Sequence, residues 1–195
     1  EYESPEARKG KRLVLPSDAS VTATDGTSNE AIYITWKGFE AHNSNIEYVL
    51  LANNEKIADV RPMDGIYIVK KSDVINDRGE KYDFCIAAYN EKQGDGSYAY
   101  GSADSGYILP VPSIESVSKG DYADKVDITW DTAISDMVSG YKVYRSSSSD
   151  MSEGVEIATL SATDSSYTDI LPDRYEEYYY GVVSFKDDVT SRFLT

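Results

Sequence analysis

At 195 residues with 41% hydrophobic side chains, the chain can build one large domain or two small ones and is too apolar for wholesale disorder. It carries 34 acidic against 19 basic residues, a formal charge of −15, spread as 15 against 8 over residues 17–109 and 16 against 7 over 110–195. Acidity on both halves repels phosphate, which argues against nucleic acid, and no run of about 18 apolar residues offers a membrane-spanning segment.

Residues 1–16 are charged and aperiodic, and are expected to form a flexible N-terminal segment; Glu1 onward lacks the apolar core of a signal peptide. Short apolar runs follow, centred on 19–24, 31–37, 46–52, 56–60, 66–70, 81–89 and 97–108, each read as a strand. Turn residues divide them: Asp25-Gly26, Asp64-Gly65, Arg78-Gly79 and Gly94-Asp95-Gly96. Leu109-Pro110-Val111-Pro112 then reads as a semi-rigid linker. A second set of runs centres on 114–118, 125–130, 139–145, 155–160, 165–170, 177–185 and 189–194, broken at Ser146 to Asp150 and at Asp187-Asp188. No stretch of ten residues shows a helical period.

The second set repeats the first. Ile32-Tyr33-Ile34-Thr35-Trp36 returns as Val126-Asp127-Ile128-Thr129-Trp130, and Ile57 with Tyr67 returns as Ile157 with Tyr167. Ile75 and Tyr82 match Leu171 and Tyr178, and the alternating run from Tyr82 to Ala88 answers Tyr178 to Ser184. Alternation puts Ile32, Ile34 and Trp36 on one face, as it does Val126, Ile128 and Trp130. Many short strands with even punctuation indicate an antiparallel sandwich, twice: residues 17–109 and 110–195.

These residues resemble the fibronectin type III family. The second-strand Trp is Trp36 and Trp130; the third-strand pair is Tyr48 with Leu50, then Tyr141 with Val143. The sixth-strand pattern is Tyr82, Phe84, Ile86 and Ala88, then Tyr178, Tyr180, Val182 and Ser184. The resemblance implies two seven-stranded antiparallel Greek-key β-sandwiches in tandem, with Tyr82 and Tyr178 as corner tyrosines bonded to nearby backbone. The Pro-Gly-Thr that commonly precedes the corner is absent, and no Arg-Gly-Asp occurs, so no integrin-binding loop carries over. The Ser/Asp-rich turns are similar to those of modules in bacterial surface and secreted proteins.

Residues that carry chemistry are sparse. The single histidine, His42, lies in the polar Glu40–Asn45 loop without a second ligand nearby, and reads as solvated. Cys85, the only cysteine, sits on the face opposite Phe84 and Ile86 and reads as a structural thiol. Asp187-Asp188 and Glu176-Glu177 fall at strand ends, where no deep cleft can raise a carboxyl pKa for glycosidase chemistry. The Asn90–Gly96 loop offers oxygens for calcium but lacks alternating acids, and Lys92 opposes a cation. Neither a catalytic residue, a cofactor nor a metal is therefore expected. Tyr98, Tyr100 and Tyr107 recur along the last strand of the first copy, and Tyr179 points off the core face; stacked rings there can hold a sugar or a protein. Tyr98 and Tyr100 are the candidate partner-binding residues.

The resulting expectation is a monomeric, non-catalytic pair of binding or spacer modules from an exported bacterial protein, at the cell surface or secreted and lipid-anchored in its full-length form. Its partner is a protein or a glycan. The alternative is an accessory region of a secreted carbohydrate-active enzyme.

Overall fold

The computed structural model describes residues 13, 15–39, 46–74, 76, 78–90, 98–132, 134–170 and 177–193. The readings of His42, of the loop after Asn90 and of Glu176 lie outside them.

Among the described residues fifteen strands follow in chain order. The first copy holds β1 (Ser20–Ala23), β2 (Ala31–Lys37), β3 (Ile46–Ala52), β4 (Glu55–Val60), β5 (Ile66–Lys70), β6 (Tyr82–Asn90), β7 (Ala99–Tyr100) and β8 (Asp104–Gly106). The second holds β9 (Ile114–Val117), β10 (Lys125–Trp130), β11 (Gly140–Ser146), β12 (Val155–Ser161), β13 (Ser166–Ile170), β14 (Tyr179–Lys186) and β15 (Val189–Thr190). The helical pieces among the described residues are a 3-10 turn at Pro62–Asp64 and a single turn, α1, at Lys71–Val74.

The repeat in sequence is a repeat in topology. A three-stranded sheet is ordered β1-β2-β5 in the first copy and β9-β10-β13 in the second; a larger sheet is ordered β4-β3-β6-β7, with β8 also pairing β6, and then β12-β11-β14-β15. Even an irregularity recurs: the β3–β4 register slips between Leu50 and Leu51, and the β11–β12 register between Val143 and Tyr144, the corresponding step.

Two expected strands are shortened. The run 97–108 is not one strand but two, β7 and β8. Gly101 N–H still reaches the Ile86 carbonyl at 2.9 Å, and the chain then leaves the ladder as the Ser102 hydroxyl turns to the Ala19 carbonyl at 3.4 Å. The run 189–194 is reduced to β15, because the Ser191 hydroxyl rather than a main-chain carbonyl accepts the Ser184 N–H, at 3.0 Å.

By mutual contacts the chain forms two compact units, one of Glu1–Thr22, Thr35–Gly65 and Asp83–Asp104, the other of Ala23–Ile34, Ile66–Tyr82 and Ser105–Thr195. The larger unit contains the whole second copy. There Ile128, Trp130, Ile134, Tyr141, Val143 and Val182 form one buried cluster, flanked by partly buried side chains from β9, β12 and β13. Burying each such aliphatic side chain stabilises by about 1.5–3 kcal/mol. Trp130 meets Tyr141 edge to face at 5.6 Å. Among the described residues neither the Trp130 Nε1 nor the Tyr141 hydroxyl has a hydrogen-bond partner, and burial raises the Tyr141 pKa to about 12. Trp36, in the smaller unit, donates Nε1–H to the Pro62 carbonyl at 3.2 Å.

The corner expected at Tyr82 is present. Its hydroxyl accepts the Asn76 N–H at 2.8 Å and donates to the Glu80 carboxylate at 3.0 Å. Tyr178 carries the Arg145 guanidinium over its ring at 4.9 Å.

One end of the second core is polar. Arg145 donates to both oxygens of Asp169, at 3.3 and 3.0 Å, and the Tyr180 hydroxyl donates to the same carboxylate at 2.9 Å. Burial first, and then that hydrogen bond, push the Tyr180 pKa upward. The repeat aligns these three positions with Ala52, Val69 and Phe84, all apolar and buried.

Candidate binding face

Strand β3 reads Tyr48-Val49-Leu50-Leu51-Ala52 and β6 reads Phe84-Cys85-Ile86-Ala87-Ala88, continuous apolar runs in which every residue is buried. Strict alternation would leave one face wet; a continuous run is the pattern of a strand covered on both sides. Cys85 stands where the sequence reading put it, as a buried thiol. It does point away from Phe84 and Ile86, but that side is also apolar. Val49, Leu51, Cys85 and Ala87 form a second buried cluster, against which Tyr89 and Tyr98 pack. Burial raises the Cys85 pKa, which keeps the thiol protonated near neutral pH.

Register places Val49 opposite Ala87 and Ala87 opposite Tyr100, so Tyr100 stands at the edge of this cluster. Its ring lies 5.9 Å from that of Tyr98, which lies 5.6 Å from that of Tyr89. The three rings form a strip whose inner members are half-buried, while Tyr100 is 59% exposed. Lys56, ion-paired with Asp59 at 2.6 Å, has its pKa raised chiefly by that bond and more weakly by Tyr89 and Tyr98.

Beside Tyr100 lies a hollow of about 380 Å³, walled by Leu51, Asn53, Asn54, Asp83, Cys85 and Tyr100. One wall is fixed by a tight turn. Asn53 and Asn54 adopt left-handed φ of 50° and 68°, the conformation a two-residue hairpin requires and asparagine tolerates. Asn53 then ties that turn to the start of β6: its N–H donates to the Asp83 carbonyl at 2.9 Å, and its Oδ1 accepts the Asp83 N–H at 2.9 Å. Asn54 and Asp83 were not foreseen as site residues. The signal for the turn is the Asn53-Asn54 pair between apolar runs, but its pairing with Asp83 is a tertiary contact.

Tyr107 departs from expectation. It does not join the strip; it is buried, its ring is pressed against Gly26, and its hydroxyl donates to the Met137 carbonyl at 3.1 Å while accepting from Lys186 at 2.6 Å. Tyr179 is exposed, as its off-core position implies. Tyr33, Ile66 and Ile68 are a further exposed apolar group, where the repeat puts the polar Asp127, Ser166 and Thr168 in the second copy.

Every described carboxyl whose pKa is clearly displaced is pulled down, not up: Asp64, Asp127, Asp136, Asp150 and Glu156. A glycosidase general acid needs the opposite shift. Among the described residues no group of three or more His, Cys, Asp or Glu is placed to hold a metal ion, and no helix is long and apolar enough to cross a membrane.

No protein-family model and no curated protein matches the chain. Solved structures similar to it include the FN1–FN3 domains of chicken CNTN1, at 19% identity and a TM-score of 0.36, covering 92% of this chain and 62% of that one. A two-domain fibronectin type III segment from chicken tenascin is similar at 12% identity and a TM-score of 0.40, covering 90% of this chain and 94% of that one. The central fibronectin III array of RIM-binding protein is similar at 18% identity and a TM-score of 0.34, covering 91% and 61%. The chain thus spans less than two thirds of two of these three structures.

Proposed function

We propose that the chain is a tandem pair of non-catalytic modules, 17–109 and 110–195, from an exported bacterial protein, and that the first module binds a partner through the face carrying Tyr98 and Tyr100. The repeated strand order on either side of Leu109-Pro110 supports the modular division. A single cysteine, with no intramolecular disulfide to maintain, supports bacterial rather than animal export.

The observation that carries the binding role is the ring strip. Tyr98 and Tyr89 are fixed against a buried cluster, and Tyr100 projects from them into solvent. A ring held from behind loses little conformational entropy when a partner covers it. The acidic surface sets the charge background, favouring neutral or basic partners over anionic ones.

The test is binding of the whole chain to immobilised collagen and laminin and to a glycan array, compared with Tyr98→Ala, Tyr100→Ala and Tyr179→Ala. The expected result is binding in one class that Tyr100→Ala abolishes and Tyr179→Ala leaves intact. Absence of binding in both classes removes the recognition role and leaves spacing alone.

A further inference from the structure

We infer that the hollow beside Tyr100 is a saccharide subsite, in which a neutral sugar ring stacks on Tyr100 while Asp83 and Asn54 hold its hydroxyls. This rests on the Tyr98–Tyr100 face being a binding face, and it names what that face takes.

The argument is one of matched chemistry. A pyranose has an apolar C–H face and a rim of hydroxyls, each both donor and acceptor. Tyr100 offers the complementary ring face. The lining of the hollow offers both bonding senses: Asp83 accepts only, whereas an asparagine amide donates and accepts. A guanidinium or ammonium group would need acceptors alone. A phosphate, sulfate or uronate would need cations, and among the described residues the walls carry no Lys or Arg while Asp83 repels an anion. The volume, about 380 Å³, is at the small end of ligand sites, in keeping with a short saccharide rather than a folded surface.

Placement is equally suited. The Asn53–Asp83 bonds hold the turn and the start of β6 together, so Asn54 and Asp83 project from tethered backbone. Tyr98 backs the Tyr100 ring at 5.9 Å. This chemistry belongs to the first copy alone, for the repeat puts Tyr179 and Gly181 where Asp83 and Cys85 stand.

The experiment is a ¹⁵N–¹H NMR titration of the full chain with the methyl glycosides of glucose, galactose, mannose and N-acetylglucosamine, and with cellobiose, lactose, mannobiose and chitobiose. At least one probe is expected to shift the amides of Asn54, Asp83, Tyr100 and Gly101 together. Tyr100→Ala should weaken that binding about tenfold, and Tyr100→Phe, which keeps the stacking face, should preserve it. Asp83→Ala should weaken it as well, and Tyr179→Ala should change nothing. Affinity should stay constant between about 50 and about 500 mM NaCl, since no ion pair forms.

If no probe shifts these amides, or if Tyr100→Ala leaves the affinity unchanged, the sugar inference is overturned. Binding of arginine or lysine methyl ester at the same amides, fading with salt, overturns it in favour of a basic side chain. Failure here with retained collagen or laminin binding that depends on Tyr100 refutes the sugar but not the face. The amide spectrum of each variant reports its folding in the same measurement.

Discussion

Replacing Asp169 with valine in the second copy of the repeat would strip a carboxylate from between Arg145 and Tyr180. Asp169 is only 5% exposed, and the change strands the Arg145 guanidinium and the Tyr180 hydroxyl. Removing one partner of a buried pair costs about 3–5 kcal/mol, because the surviving charge stays desolvated. The Arg145 side chain keeps 28% of its exposure and can reach some water, so the lower end, about 3 kcal/mol, is expected. For a module of this size that lowers Tm by on the order of 15 °C. The first copy of the repeat shows the alternative, with Ala52, Val69 and Phe84 at the corresponding positions. The triple replacement Arg145→Met, Asp169→Val and Tyr180→Phe copies that apolar solution at closer to constant volume. It should come within about 1 kcal/mol of the parent, or exceed it, because exchanging a whole buried ionic group for packed apolar side chains is commonly neutral or stabilising. The assay is urea denaturation followed by fluorescence in a Trp36→Phe background, so that the signal reports Trp130. If the triple variant is as unstable as Asp169→Val alone, the network stabilises by more than its desolvation costs and the reasoning is refuted.

Other outcomes are expected from the same structure. Tyr141→Phe should be neutral or stabilising by about 1 kcal/mol, since it removes a buried hydroxyl that has no partner among the described residues; a loss above about 1 kcal/mol in urea melts would reveal a bond to that oxygen. The Tyr141 pKa of about 12 lies above that of the unfolded side chain, so its contribution is intact below about pH 10 and is lost as pH rises through 12; alkaline melts of Tyr141→Phe should fall less steeply. Asp150 runs the other way. Bonds from the Ser152 hydroxyl and N–H and from the Ser148 hydroxyl lower its pKa to about 2, so its contribution is present above about pH 4 and lost as pH falls through 2. An NMR titration midpoint for Asp150 near 4 would contradict that. Trp130→Ala should cost about 3–5 kcal/mol through the cavity left in a small core, and a cost below about 1 kcal/mol would place the ring outside that core.

Much of the fold was legible because it depends on local pattern. Alternation around Trp36 and Trp130 fixes which side of β2 and β10 is buried, and turn residues separate the strands. The two copies state the same pattern twice, which is why the sheet orders agree. The second apolar cluster was legible too, in the unbroken runs of β3 and β6, although alternation is the more familiar sign and points to a wet face. The ring strip was legible in part: Tyr98 and Tyr100 stand two residues apart with their rings in contact, whereas Tyr107, the third ring of that run, is drawn inward to Met137 and Lys186.

Backbone periodicity and turn chemistry act over a few residues, so the amino-acid order by itself determined strands, buried faces and the duplicated unit. Side-chain bonds across more than about twenty residues were decided by the tertiary structure: Asn53 to the Asp83 main chain, Arg145 to Asp169, Tyr107 to Lys186. Such contacts form only when register and sheet packing bring distant strands together, and a one-residue slip in any ladder would turn those side chains to opposite faces.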